Sequence, residues 1–242
     1  MRTKCEELER RVAALEAEVA ELRRLLGRTA SAERRSGGLD YVAIGNSLTL
    51  HETCSYWWNP VGMAASCAER DYFHLVQAGL RRRFGEVTAK AVNFFEWERS
   101  GHDRDQTLAK LDDLLDEHVS LVTVQLGENV VDFSTYDRDY VSLLEYVRKK
   151  TGPRTQIIVI GNFWKPDPVR SAAAEKCGAD YVSLAEAYDE PKYRSRIGAE
   201  VFDAAGGTHI IDHAGVAAHP GDEGMAFIAA KVLDRVKDRG VR

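Results

Sequence analysis

Three polar residues of this chain have the types and the placement from which an acyl-transfer site could be built. Ser47 ends the triplet Gly45-Asn46-Ser47 directly after a short apolar run, Asn129 follows a second apolar run, and His219 precedes a helical segment. A serine becomes a nucleophile when a histidine takes its proton, and the oxyanion that forms needs fixed donors such as an asparagine amide. The sequence therefore predicts nucleophilic chemistry at Ser47, provided that the fold brings these residues together.

The elements that must position these residues alternate between strands and helices. Apolar runs predict strands at 40–44, 87–92, 121–126, 156–160 and 179–182. Helical periodicity predicts helices at about 69–84, 106–117, 136–150, 168–176 and 224–239. Nearly continuous apolar strands separated by amphipathic helices favour an α/β fold in which helices cover both faces of a parallel sheet. Ligands of such sheets bind beyond the carboxyl ends of the strands, which is where Ser47 and Asn129 are expected.

The first part of the chain has a different pattern. Apolar residues recur there in alternating steps of three and four, at Cys5, Leu8, Val12, Leu15, Val19, Leu22 and Leu26. Valine at a positions with leucine at d positions favours a parallel two-stranded coiled coil. We therefore predict a coiled-coil helix at 1–28, a linker at 29–38 and an α/β domain at 39–242, with a homodimer formed through the coil. The alternative is an amphipathic helix that packs on the chain's own domain, because just over three heptads is short for an independent coiled coil.

Composition excludes several classes of protein. The 242 residues carry a formal charge of −5, which argues against a nucleic-acid partner. No apolar run is long enough for a membrane span, and the N-terminal residues lack the apolar segment of a signal peptide, so we expect a cytoplasmic protein. The four cysteines form no CxxC pair, which favours reduced thiols over a zinc site. The segment 209–213 has two histidines and an aspartate but matches no established ligand spacing, and no metal or cofactor is predicted.

Three short segments carry a resemblance to a known family. Gly45-Asn46-Ser47, Gly127-Glu128-Asn129 and His219-Pro220-Gly221, in this order, resemble the SGNH (GDSL-like) hydrolase superfamily over residues 39–239. The resemblance implies a flavodoxin-like three-layer α/β/α sandwich with a parallel sheet. It also implies that Ser47 is the nucleophile, His219 the general base and Asn129 an oxyanion-hole donor. The longer string 45–51, followed by Trp58 and 62–66, is similar to one bacterial branch of the family. Family members are mostly esterases and deacetylases, many of which act on O-acetyl groups of carbohydrates.

The sequence departs from the family pattern at three places. Asn46 replaces the usual aspartate, which should preserve shape and remove a charge beside the nucleophile. Val216 occupies the place of the usual acid, three residues before His219. The site is therefore either a Ser–His dyad, in which a backbone carbonyl orients the histidine, or a triad whose acid comes from elsewhere in the chain. Asp212 is the nearest upstream candidate for that acid. The segment 91–99 lacks the glycine of the family's second oxyanion donor, and Gly101 is the first one available.

All four tryptophans follow predicted strand ends, at Trp57, Trp58, Trp97 and Trp164. Aromatic rings at a pocket mouth pack on sugar rings or acyl groups, so we predict a partly aromatic cleft with Trp58 as a substrate contact. The alternative is a local core that holds the long loops in place. Together these features predict a serine esterase for small acyl esters, such as O-acetyl groups on a carbohydrate. An acyltransferase to a saccharide hydroxyl and a non-catalytic binding module of the same fold are the alternatives.

Overall fold

The computed structural model describes residues 38–238 together with Arg11. Residues Leu39–Gly240 form one compact unit. The predicted coiled coil at 1–28 and the linker at 29–38 lie outside the described residues, apart from Arg11 and Gly38. The coil, its boundaries and the homodimer therefore stay predictions.

The centre of the compact unit is a five-stranded parallel sheet in the order β2-β1-β3-β4-β5. Its strands are β1 Leu39–Gly45, β2 Val87–Asn93, β3 Val119–Gln125, β4 Gln156–Ile160 and β5 Asp180–Val182. The inner strands are almost entirely buried because helices cover both faces of the sheet, which explains their continuous apolar sequences. In register, Gly45 lies opposite Asn93 of β2 and Gln125 of β3. The first three strands therefore end together, and the residues that follow them share one edge of the sheet.

Helices form the two outer layers. They are α1 Tyr72–Phe84, α2 Phe95–Arg99, α3 Arg104–Thr107, α4 Tyr136–Thr151, α5 Pro168–Lys176, α6 Ala214–Ala217 and α7 Asp222–Arg235. Tyr41 and Ala43 of β1 point to the core that α1 and α7 cover. Val42 and Ile44 point to the opposite core, which α4 and α5 cover. This alternation along β1 produces the three-layer α/β/α sandwich that the sequence predicts, and the predicted fold class is confirmed.

One predicted helix is wrong. The segment 106–117 is not a continuous helix, because α3 ends at Thr107 and a 3₁₀ helix follows at Leu108–Leu111. The Thr107 hydroxyl donates to the carbonyl oxygen of Arg104 at 2.7 Å, a local bond that competes with regular helical pairing. Leu108 and Leu111 are still buried, because a spacing of three residues keeps both on one face of a 3₁₀ helix.

A small hairpin was not predicted. It consists of β6 Glu200–Phe202 and β7 Thr208–Ile210, which pair antiparallel. Val201 of this hairpin packs with Trp57 and Val216 in a separate small apolar cluster. The cluster therefore fixes the loop after β1 against the segment that leads to His219. Within residues 38–238, no helix is long and apolar enough to cross a membrane.

Candidate active site

Ser47 lies in a tight turn that begins where β1 ends. A Cβ atom on Gly45 would lie 1.9 Å from the Thr49 hydroxyl oxygen, so only glycine fits at that point of the turn. Ser47 is partly exposed, whereas its neighbours Asn46 and Leu48 are fully buried. The turn thus presents one hydroxyl at the carboxyl edge of the sheet.

The structure brings Ser47 and His219 together. Ser47 Oγ lies 2.8 Å from His219 Nε2, which is hydrogen-bond distance. His219 Nδ1 lies 2.7 Å from the carbonyl oxygen of Gly215. A carbonyl oxygen can only accept, so the proton of the neutral ring must be on Nδ1, and the lone pair of Nε2 faces the serine hydroxyl. This tautomer is the one in which a histidine can take a proton from serine.

The backbone carbonyl replaces the usual acidic partner of the histidine. Val216, in the usual place of the acid, is fully buried in the small apolar cluster with Trp57. Asp212 is exposed, and within the described residues it makes no hydrogen bond or ion pair with His219. Of the two alternatives that the sequence left open for orienting His219, the geometry matches the backbone carbonyl and not Asp212.

The surroundings of His219 favour its neutral form. Desolvation lowers the pKa of His219 to about 4, and the nearby rings of His51 and His213 add repulsion in the same direction. The Gly215 carbonyl and the Glu128 carboxylate act in the opposite direction, with less effect than desolvation. Trp164 contributes to the cover, because its ring meets the His219 ring edge to face at a centroid distance of 5.4 Å. His219 is therefore an available base at any pH well above 4.

Asn129 reaches the same edge of the sheet from the loop after β3. Its side-chain Nδ2 donates to Glu98 Oε2 at 2.7 Å, and its backbone N–H donates to Glu98 Oε1 at 3.2 Å. The N–H of Gly127 donates to the same Oε1 atom. Gly127 has φ of +124°, and a Cβ atom there would lie 2.1 Å from the Tyr136 hydroxyl oxygen, so this position requires glycine.

Asn46, directly before Ser47, joins this network from β1. Its Nδ2 donates to Glu98 Oε1 at 3.0 Å and to Glu128 Oε2 at 2.9 Å, and its Oδ1 accepts from the Leu48 N–H. The same Glu128 oxygen is paired with Arg170 of α5 at 2.8 Å. An amide at position 46 can donate to two carboxylates, whereas an aspartate would add a third negative charge. The physical reason for the Gly-Asn-Ser triplet is therefore the pair of glutamates beside it.

Glu98 is fully buried on the short helix α2. Desolvation and the nearby charge of Glu128 raise the pKa of its carboxyl group, and the donors Asn129, Gly127 and Asn46 lower it by a smaller amount. No arginine, lysine or histidine forms an ion pair with the Glu98 carboxylate in the part of the chain that the structure describes. The hydrogen bonds that its carboxylate accepts from the described residues all come from amide N–H groups.

The loop after β2 offers no glycine donor to the site. The N–H of Phe94 donates to the Gly45 carbonyl, and the N–H of Phe95 donates to Asn93 Oδ1. Gly101 lies against Asp132. By contrast, the Ser47 N–H makes no hydrogen bond with any of residues 38–238. It is thus the backbone donor left free beside the nucleophile.

The tryptophans divide into two groups. Trp57 and Trp97 are fully buried, so for these two the alternative of a local core is correct. Trp58 is partly exposed and stacks on His209 of β7 at a centroid distance of 4.6 Å. Within the described residues no hydrogen bond or ring contact joins Trp58 to Ser47 or His219, and its role as a substrate contact stays a prediction. Trp164 is the tryptophan that contacts the site directly, through the His219 ring.

No cluster of histidine, cysteine, aspartate or glutamate side chains within residues 38–238 has the arrangement of a metal site. In the segment 209–213, His209 pairs instead with Asp203 at 2.9 Å. His213 stacks on Tyr56.

Sequence reasoning missed Glu98 and Gly215 as parts of the site. Glu98 lies in the segment Phe95-Glu96-Trp97-Glu98-Arg99, which reads as a solvated helix, and no local signal separates it from the exposed Glu96. Gly215 acts through its carbonyl oxygen, which every residue has. Trp164 was among the aromatic residues of the predicted cleft because it follows the fourth strand, but its contact with the His219 ring was not predicted.

Comparison with known proteins connects this geometry to a family fold. No protein-family model matches the chain, and no curated protein matches it. Among solved structures, a two-domain esterase (CEX) active on acetylated mannans superposes with a TM-score of 0.54 at 16% identity, over 89% of this chain and 54% of that one. A member of the lipolytic protein G-D-S-L family from Veillonella parvula DSM 2008 superposes with a TM-score of 0.50 at 13% identity, over 83% of this chain and 100% of that one. The chain spans about half the length of the mannan esterase. These likenesses show that the chain has the fold of the SGNH (GDSL-like) hydrolases, as its sequence predicts.

Proposed function

We propose that this protein is a serine esterase that hydrolyses small acyl esters through an acyl-enzyme on Ser47. The observation that carries the proposal is the 2.8 Å contact between Ser47 Oγ and His219 Nε2, with the Nδ1 proton held by the Gly215 carbonyl. This arrangement is the geometry of an activated serine nucleophile.

The reaction follows from these positions. Ser47 Oγ attacks the ester carbonyl carbon while His219 Nε2 takes the hydroxyl proton. The Ser47 N–H and the second Nδ2 proton of Asn129, which the bond to Glu98 leaves free, are the proposed donors to the tetrahedral oxyanion. The C–O bond of the ester then breaks, and His219 returns the proton to the leaving alcohol. Water repeats the sequence on the acyl-serine and releases the carboxylic acid and the free enzyme.

For the substrate we propose an O-acetyl group carried by a carbohydrate. The fold likeness to an esterase active on acetylated mannans supports this class. Trp164 also supports it, because its partly exposed ring lies beside the base, where a sugar ring could pack. The acyltransferase and the binding module, the two alternatives from the sequence, are outcomes of the tests below.

The first test uses p-nitrophenyl acetate and acetylated xylo- or manno-oligosaccharides. We expect hydrolysis by the wild type and losses of about 10³-fold or more in kcat for Ser47→Ala and for His219→Ala. Activity that survives Ser47→Ala contradicts the mechanism. If the wild type hydrolyses none of these esters, the non-catalytic binding module is the remaining alternative. If it transfers acetyl groups to added saccharides in preference to water, it is an acyltransferase.

We also propose that the chain forms a homodimer through the coil predicted at 1–28. The support is the heptad pattern in the sequence, in which valine at a positions alternates with leucine at d positions. Light scattering of the full chain and of a form without residues 1–36 tests this proposal. A dimer that becomes a monomer supports it, and a monomer in both cases refutes it.

A further inference from the structure

We propose that Glu98 is the positioning residue of the oxyanion hole. Its buried carboxylate holds the side-chain amide of Asn129 so that the nitrogen Nδ2, and not the oxygen Oδ1, is turned toward Glu98. This inference rests on the proposed function and extends it to a residue outside the Ser47, His219 and Asn129 set. Its evidence is the convergence of two loops, those after β1 and β3, on the Glu98 side chain.

The Glu98 carboxylate accepts from residues that follow two other strands. Asn46 comes after β1, whereas Gly127 and Asn129 come after β3. Glu98 itself is on α2, directly after β2. The carboxylate therefore links the turn of the nucleophile to the loop of the oxyanion donor, across the carboxyl ends of three adjacent strands.

The energetics of Glu98 indicate a functional role. Burying a carboxylate without a cation is unfavourable, and an amide or an apolar side chain of similar volume would be cheaper for folding. The other buried carboxylates of this region have such a partner, since Glu128 pairs with Arg170 and Asp139 with Arg104. Arg104 reaches only the backbone carbonyl of Glu98, not its carboxylate.

The chemistry of a carboxylate explains what Glu98 does there. An ionised carboxylate only accepts hydrogen bonds, so the Asn129 amide must turn its Nδ2 toward Glu98 Oε2. An amide nitrogen has two protons, and the second remains available to an oxyanion. With the amide reversed, its oxygen would lie where the donor is needed and would repel the developing negative charge.

Glu98→Gln tests this argument because it keeps the size of the side chain and adds a donor. If the new amide oxygen keeps the bonds from Asn46 and Gly127, its nitrogen faces Asn129 and requires the amide of Asn129 to reverse. We expect kcat on p-nitrophenyl acetate to fall by about 10²-fold, the loss typical of one oxyanion donor, with KM changed by less than about threefold.

The matched control is Glu96→Gln on the same helix. Glu96 is exposed and pairs with Lys110, and we expect its variant to stay within about twofold of the wild-type kcat. A second variant, Glu98→Asp, keeps an acceptor-only side chain but shortens it. We expect Glu98→Asp to retain more kcat than Glu98→Gln, whereas a role in packing alone would give the opposite order.

A double-mutant cycle separates positioning from a general structural role. If Glu98 acts through Asn129, Glu98→Gln should lower kcat by less than about threefold in an Asn129→Ala background. An unchanged kcat in Glu98→Gln, or the same 10²-fold loss with and without the Asn129 amide, overturns the proposal. These outcomes are read against Ser47-dependent activity, so they differ from a failure of the proposed function, in which the wild type has no such activity.

The NMR signals of the Asn129 side-chain amide provide a readout that needs neither turnover nor a variant of Glu98. In the wild type we expect one Nδ2 proton to be shifted downfield and protected from exchange by its bond to the carboxylate. Asn129→Asp, which lacks these signals, provides the assignment. Two Nδ2 protons with the shifts and fast exchange of a solvent-exposed asparagine would contradict the bond on which the proposal depends.

Discussion

The imidazole of His219 donates its Nδ1 proton to the carbonyl oxygen of Gly215, four residues earlier in the chain. The bond closes one turn of the segment that contains α6, so the residue that orients the base belongs to the base's own loop. It fixes the tautomer as a carboxylate would, but it supplies a dipole in place of a full negative charge. The orientation of the base should therefore depend on the backbone path of residues 214–219 and on no acidic side chain.

Asp212→Asn should have little effect on activity. The Asp212 side chain is exposed, and the Gly215 carbonyl already holds the Nδ1 proton of His219. We expect kcat/KM on p-nitrophenyl acetate within about twofold of wild type, whereas loss of a true triad acid costs about 10⁴-fold in kcat. A loss above about tenfold would show that the carboxylate reaches the histidine during turnover.

Val216→Asp places an acid at the family's usual position and should nevertheless destabilise the protein. Val216 is fully buried with Trp57 and Val201, in a cluster of apolar side chains. We expect the free energy of unfolding to fall by about 3–5 kcal/mol, measured by urea denaturation, with no gain in kcat. Val216→Ala is the control, with an expected loss of about 2 kcal/mol from the cavity alone. A rise in kcat would mean that the loop rearranges to form a triad.

The acid limb in the pH dependence of kcat/KM should lie at an unusually low pH. Burial lowers the pKa of His219 to about 4, so the ring stays neutral and basic until the pH approaches that value. Below it we expect the rate to fall about tenfold per pH unit. A limb near 6.5, the ordinary histidine value, would contradict the structure. Circular dichroism at each pH separates titration from unfolding.

Trp164→Ala should move the acid limb of the kcat/KM profile to higher pH. The Trp164 ring covers one side of His219, and removing it admits water, which favours the charged form of the histidine. The pH–rate profile of the variant, measured beside the wild type, checks the direction. Phe95→Ala serves as a control, because that ring is exposed on α2 and leaves the cover of His219 intact. An unchanged limb in Trp164→Ala would mean that other groups exclude the water.

Asn46→Asp restores the family's usual Gly-Asp-Ser triplet and should nevertheless impair this protein. The new carboxyl group faces Glu98 and Glu128, and the substitution removes the amide nitrogen that donates a hydrogen bond to each of them. Repulsion among the three carboxyl groups at positions 46, 98 and 128 should keep one of them protonated in the folded protein. The folded state then binds more protons than the unfolded state, so the free energy of unfolding falls as pH rises. We expect a loss of roughly 3 kcal/mol near pH 8 and a smaller one near pH 5, read from urea midpoints. Asn46→Ala should depend less on pH, and an equal loss for Asn46→Asp at both pH values would contradict the charge argument.

Local patterns predicted most of the fold. The sequence located all five strands of the sheet. For β1, β3 and β4 the reason is burial on both faces, which leaves a nearly uninterrupted apolar segment that can be read without knowing its partners. The helix predicted at 106–117 failed because local hydrogen bonding at Thr107 and a 3₁₀ turn satisfy the same apolar spacing. The hairpin formed by β6 and β7 was missed because three-residue strands carry too little pattern.

The sequence by itself determined the parallel α/β architecture and the order in which Ser47, Asn129 and His219 follow their elements. These properties depend on residue type and on near neighbours, so they can be recognised along the chain. Only the tertiary structure decided that Gly215 holds His219, that Val216 is buried, and that Glu98 joins Asn46 to Asn129. Burial and hydrogen-bond partners depend on which loops converge in space. A glutamate that faces water and one that organises an oxyanion hole can therefore stand two residues apart in the same short helix.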